Sequence, residues 1–300
     1  MNKTSKIALT ALVAFPLVFL TSCGGDEPVD EINEDIIEEV IEEVKNESYY
    51  QIPSPDEMFG FIKESGLKYN KSALNPIQNA SSYTDPKQQA LNFGIYSADL
   101  AYTAAFEEYQ ESIKYFGSIQ KLADQIGLSS AFDKTLIERV QNNLNNADSL
   151  VSITNTSYFS VVDYLEQNEQ GGKLGLIASA GWLETVYIVS NTAKYGKDKA
   201  AIERLADQKL TLDNLLAYLE KYAESDADVK EIHGWFKELE ATFAGLEEKS
   251  TGSGITLKKK EGAKKMVLGG GETIGISEAQ FNAIKNKISE IRNNIVKVQA

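Results

Sequence analysis

TDPKQQALNFGIYSADLAYTAAF, residues 84–106, is the stretch on which the fold turns. Thr84-Asp85-Pro86 reads as a helix start, with Asp85 as N-cap acceptor and Pro86 at the first helical position, where its missing N–H costs nothing. Leu91, Ile95, Leu100, Phe106, Tyr109, Ile113 and Phe116 then sustain a helical apolar pattern as far as Gly127. This predicts a long central helix with Gly117 as its break. Small residues crowd it (Ala98, Ala101, Ala104 and Ala105), so the backbone of a neighbouring helix can come close. A second stretch repeats the spacing 85 residues later: Leu91, Gly94, Asp99 and Tyr102 match Leu176, Ser179, Glu184 and Tyr187, the latter set among Ala178, Ala180 and Gly181. Duplication of a helical hairpin and chance similarity between amphipathic helices both account for the match.

Working outward, Ser54-Pro55-Asp56-Glu57 has the form of a capping box and predicts a short helix running to Gly66. Further helical stretches are predicted at about 130–146, 157–170, 173–195 with Gly196 as stop, 198–208, 211–223 and 226–248. After Lys249 the texture changes to glycines bracketing two short strand-like segments, so a small β-hairpin or flap is expected near 254–276. Ser277 with Gln280 then caps a last amphipathic helix whose Phe281, Ile284, Ile288, Ile291, Ile295 and Val298 form one stripe. The fold class expected is all-α, a multi-helix bundle, with two duplicated helical-hairpin halves as one form of it. An apolar content of 42% over such a length is enough for a sizeable core.

The N-terminus has the parts of an export signal: Lys3 and Lys6, an apolar run from Ile7 to Leu20, then the small residues Thr21 and Ser22. That run is shorter than the roughly 20 residues a helix needs to cross a bilayer. The sole cysteine follows at once, and Leu20-Thr21-Ser22-Cys23 resembles the lipobox of bacterial lipoproteins, which implies a lipid anchor on Cys23. Under an ordinary secretory signal, Cys23 would instead be an odd thiol in an oxidising compartment. The same resemblance implies the outer membrane, because the residue after the cysteine is Gly24 and not the Asp that retains such lipoproteins at the inner membrane. Gly24-Gly25-Asp26-Glu27 is similar to the export tags of surface-displayed lipoproteins in Bacteroidota; the periplasmic face and the cell surface both stay open. Residues 24–47 hold eleven Asp or Glu against one Lys, so most of the formal charge of −14 is local and residues 48–300 carry only −6. No basic stripe suits nucleic acid, which is excluded as a partner. Within this acidic tether Ile32, Ile36, Ile37, Val40, Ile41 and Val44 make a narrow helical stripe, read as a partly helical stalk or as a docking face.

Candidate chemistry is sparse. Asp99 stands three residues before Tyr102 and Glu184 three before Tyr187, so each acid shares a helix face with a tyrosine. If the two helices pack together these four can meet, with Tyr96 and Trp182 beside them. Two buried carboxylates near phenols can share a proton or hold a cation, or simply fix helix register through hydrogen bonds. His233 is the only histidine, which leaves too few ligands for zinc and no candidate triad, so no metal, cofactor or catalytic residue is expected. Gly269-Gly270-Gly271 lacks the Gly-Lys-Ser/Thr ending of a phosphate loop and reads as a turn. Lys258, Lys259, Lys260, Lys264 and Lys265 form one basic spot, read as a solvated hairpin tip or an anion contact. Asp148-Ser149-Leu150 looks like a short O-glycosylation signal of Bacteroidota, with Ser149 as acceptor.

The lipobox, the acidic spacer, Ser54-Pro55-Asp56-Glu57 and the small-residue helix around Tyr96-Ser97-Ala98-Asp99 together resemble uncharacterised helical outer-membrane lipoproteins of Bacteroidota. No activity comes with that resemblance. The organisation it implies is a lipoprotein signal peptide over 1–22, a lipidated Cys23 with acidic tether over 23–50, and one helical domain over 51–300. The function expected is a non-enzymatic module at the outer membrane, attached to the membrane through the lipid on Cys23 and binding a protein partner or an unidentified small ligand. A small-molecule or cation site at the Asp99/Glu184 cluster is the alternative, and an enzyme using paired carboxylates the third reading.

Overall fold

The computed structural model describes residues 55–131, 134–143, 146–244, 246–249, 256–258, 267–269 and 273–298. The signal segment, Cys23, the acidic tether and Ser54 lie outside the described residues, as does most of the expected flap. All described residues belong to one compact unit, Tyr50–Ala300.

Ten α-helices are found among the described residues, confirming the all-α multi-helix class. They are α1 (Pro55–Glu64), α2 (Pro86–Ala105), α3 (Tyr109–Gln125), α4 (Lys134–Asn142), α5 (Ala147–Gln167), α6 (Gly171–Thr192), α7 (Lys199–Ala206), α8 (Gln208–Ala223), α9 (Ala227–Phe243) and α10 (Glu278–Val296). Between α9 and α10 four three-residue strands pair antiparallel in two ladders. Strand β1 (Glu247–Lys249) pairs with β4 (Thr273–Gly275), and β2 (Thr256–Lys258) with β3 (Val267–Gly269).

Caps follow the sequence where a short polar residue or glycine marks them. Asp85 accepts from the N–H of Gln88 at the start of α2, and Ser277 and Gln280 complete a capping box on α10. Gly66 and Gly127 take the left-handed conformation just past α1 and α3.

Other boundaries differ from expectation. The long helix breaks at Phe106–Glu108, not at Gly117. There Glu107 is left-handed (φ 63°), while the N–H groups of Glu107 and Glu108 close onto the carbonyls of Ala104 and Thr103. Gly117 sits on an exposed face inside α3 with open space around it, so nothing forces a break there. The stretch expected as one helix over 130–146 is a 3₁₀ turn, Ser129–Ala131, followed by α4, and α5 begins at Ala147 because Asn146 caps it. Glu169 (φ 56°) turns α5 into α6 as Glu107 turns α2 into α3. Helix α9 ends at Phe243 and the chain passes into β1.

The core is built around α2 and α6, which form the most extensive helix pair. Gly94 of α2 lies against Ile177 and Gly181 of α6, so close that a Cβ on Gly94 would press into the Ile177 carbonyl. Five residues further along α2, Asp99 faces Glu184. The two helices therefore run in the same direction, in a register close to the 85-residue offset of the sequence repeat. Helix α10 runs against α6, with Arg292 at Glu184 and Phe281 at Tyr195.

Candidate functional site

Where α2, α6 and α10 meet, the chain buries three charged side chains. Asp99 and Glu184 have zero exposure and Arg292 has 7%. The helix crossing explains why two acids can lie together: glycine at 94 and 181 lets the backbones touch, which draws the residues a turn or so further along into contact. Arg292 comes in from α10 on the same stripe as Ile288, Ile291 and Ile295, and it grips Glu184 with two bonds. Its Nε donates to Oε2 and its terminal nitrogen to Oε1, each at 2.9 Å. That nitrogen also reaches the Ala73 carbonyl at 3.5 Å, and the guanidinium lies 4.5 Å from the centre of the Tyr187 ring. Burial opposes the positive charge of Arg292, but Glu184 and Asp99 more than offset it and hold the group above its ordinary range.

Asp99 is held differently. Its Oδ2 accepts the backbone N–H of Asn75 at 3.1 Å, whereas its Oδ1, buried as deeply, receives no N–H or O–H from another group. Burial and then the nearby Glu184 push its carboxyl well above the usual carboxylate range, against the opposing pull of Arg292.

A shell of amides and phenols closes the site. Asn75, wholly buried in the segment between α1 and α2, gives its Nδ2 to the Tyr83 hydroxyl at 3.1 Å and to Asn92 Oδ1 at 3.2 Å. Its Oδ1 accepts from Asn79 at 3.0 Å and its carbonyl from the Tyr115 hydroxyl at 3.0 Å. Asn92 passes its own Nδ2 to the carbonyls of Gln88 and Ile295, and the Tyr83 hydroxyl donates to the Val296 carbonyl. The network ties α2 and α3 to the end of α10 through buried polar groups that are nearly all satisfied. Burial raises Tyr83, Tyr96 and Tyr115 above the ordinary phenol range, so they act as neutral donors.

Of the six residues expected to cluster, Asp99 and Glu184 meet, and the half-buried Tyr187 lies beside the Arg292 guanidinium that pairs with Glu184. Tyr96 stands one layer away between Tyr83 and Tyr115, its hydroxyl donating to the Pro76 carbonyl at 2.8 Å. Tyr102 turns aside: its hydroxyl accepts the Asn70 N–H at 2.8 Å and its ring packs among Phe59, Tyr69 and Phe106. Trp182 does not join the cluster. Its partners are on α8 and α9, where its indole N–H donates to Gln208 at 2.9 Å and its ring leans on Phe236. Sequence reasoning missed Arg292 and Asn75. Arg292 stands beside the apolar stripe of α10, but Lys285 holds the equivalent position seven residues earlier, so the sequence carries no signal that singles Arg292 out.

Elsewhere, Ser149 is half-buried in the first turn of α5, its N–H held by Asn146 Oδ1 at 3.0 Å. It lines a shallow cavity of about 320 Å³ with Arg139, Asn143, Ser152 and Ile153. Among the described residues, no group of three or more His, Cys, Asp or Glu is placed to hold a metal ion, and no helix is long and apolar enough to cross a membrane. Comparison with family models, with curated proteins and with solved structures gives no match to this chain.

Proposed function

We propose that this protein is a non-enzymatic, lipid-anchored helical module of the outer membrane, tethered through Cys23, whose helical body binds a partner protein or ligand. The observation that carries the reading is the closure of the Asp99–Glu184–Arg292 cluster. The acids most suited to chemistry have no exposure and are engaged in joining helices, so they offer nothing to a substrate. The lipobox-like Leu20-Thr21-Ser22-Cys23 supports the anchor. In cells fed a clickable fatty acid, the wild-type chain takes up label and fractionates with outer membranes, whereas Cys23→Ser does neither. Label or membrane association retained by Cys23→Ser refutes the anchor. Partners co-purified by both forms belong to the helical body, and those lost with Cys23→Ser depend on location.

The cation-site reading of Asp99 and Glu184 rests on the unmatched Oδ1 of Asp99. Arg292 already occupies the counter-charge position, so a metal would have to displace a two-bond ion pair. Calcium or magnesium should therefore leave the melting temperature unchanged.

A further inference from the structure

Charge and hydrogen-bond accounting at the α2–α6 crossing does not close with every group in its ordinary ionisation state. Two carboxyls with zero exposure touch each other, and the cation that reaches them places both of its carboxylate bonds on Glu184. Arg292 and Glu184 therefore cancel. A second negative charge on Asp99 would be buried against a like charge with no cation of its own, an arrangement that protein interiors avoid by neutralising one partner. The atomic contacts point the same way. Oδ2 of Asp99 has its donor in the Asn75 N–H, while Oδ1 is enclosed with none. An oxygen that lacks a donor and belongs to a carboxyl in hydrogen-bond contact with another carboxyl is satisfied if it carries the hydrogen itself.

We propose that Asp99 is a carboxylic acid in the folded protein, with its proton on Oδ1 donated to the Glu184 carboxylate, so that the α2–α6 crossing is a proton-dependent clasp. One proton then completes every polar requirement of the site. Glu184 receives two bonds from Arg292 and one from Asp99, and Asp99 receives one from Asn75. The other ionisable groups facing Asp99 from the surrounding elements are Tyr96 on its own helix, Tyr115 on α3 and Tyr69 in the segment after α1. All three are phenols raised by burial, and none brings a compensating positive charge. The raised Asp99 carboxyl fits the same state.

The folded chain keeps a proton that the unfolded chain gives up above the ordinary aspartate range, near pH 4. The clasp's contribution to stability is whole below that pH and declines as pH rises, because the folded state binds one more proton than the unfolded state. The unfolding equilibrium constant thus gains about tenfold per pH unit from this residue until Asp99 ionises in the fold.

Asp99→Asn is the direct probe, since its Nδ2 can donate to Glu184 and its oxygen can accept from Asn75. Calorimetric unfolding of the full chain at pH 7, in buffers of different ionisation enthalpy, should show the wild type releasing about one proton more than Asp99→Asn. Stability of Asp99→Asn relative to wild type should rise with pH. Equal proton release and parallel stability curves would overturn the proposal. If the variant does not fold, infrared spectra of wild-type protein labelled with aspartate carrying ¹³C at its side-chain carboxyl decide it. A protonated carboxyl stretch that moves with the label at pH 7 supports the buried acid, and its absence overturns it.

Discussion

Toward α2, helix α6 presents Gly181 and Glu184; toward α8 and α9 it presents Gly171, Gly175 and Trp182. Both faces use glycine, to different ends. On the first, the glycines admit backbone: Gly94 and Gly181 abut, and the closeness forces the register in which Asp99 meets Glu184. On the second, they are notches for side-chain ends. Gly171 receives the Tyr222 ring, and Gly175 receives Leu219 and the ring of Tyr218, whose hydroxyl reaches the Gly171 carbonyl at 3.2 Å. Backbone against backbone has one solution and can support a charge cluster that needs fixed geometry. Side chains in notches can shift rotamer and repack.

The sharpest way to break this contrast is Arg292→Ala. It leaves Glu184 buried without its counter-charge and should cost about 3–5 kcal/mol in chemical denaturation. Adding Glu184→Gln should return a good part of that loss, because the unpaired charge goes too. A double-mutant cycle then reads a coupling well above the typical surface pair, which lies at about 1 kcal/mol or less. Additive costs in the cycle would mean that the bidentate pair does not govern this face. The exposed Lys287–Glu238 bridge on the same helix is the natural control, since solvent screens it.

Gly94→Ala comes next. The new Cβ would press into the Ile177 carbonyl and stand 2.9 Å from the Gly181 nitrogen, and neither atom belongs to a movable side chain. The helices must part, so the expected loss is about 1–3 kcal/mol, with the urea midpoint lowered. That loss also runs against the gain of about 1 kcal/mol that alanine normally has over glycine inside a helix. A neutral or stabilised variant would show that the backbones do not touch.

How far the sequence revealed this follows from where its signals are local. The start of α2 is readable because Asp85 and Pro86 announce it, and the two small-residue helices point to Asp99 and Glu184 as neighbours. The turns at Glu107 and Glu169 are not, because a left-handed glutamate carries no compositional mark and the preference for glycine there points instead to Gly117. Trp182 is near Glu184 in sequence. One residue on from Gly181 is about 100° around a helix, however, which turns it toward α8 and α9. Arg292 was out of reach for another reason: it lies 108 positions from Glu184, and only the packed bundle brings α10 against α6.

Gly175→Ala gives the smallest effect and the finest test of the contrast. Its Cβ would meet Leu219 Cδ2 at 3.0 Å and the Tyr218 ring at 3.4 Å, side-chain atoms and not backbone. Crowding costs some packing energy, and replacing glycine in the middle of α6 gains about as much in helix propensity, so the net change should stay within about 1 kcal/mol. Gly94→Ala and Gly175→Ala put the same methyl group on two neighbouring helices, so their difference isolates the neighbour. A gap of 1 kcal/mol or more, with Gly94 the worse, means that backbone contact sets the register of α2 on α6. Equal losses would mean that both faces are packed side chain to side chain, and that the glycines do not bring Asp99 and Glu184 together.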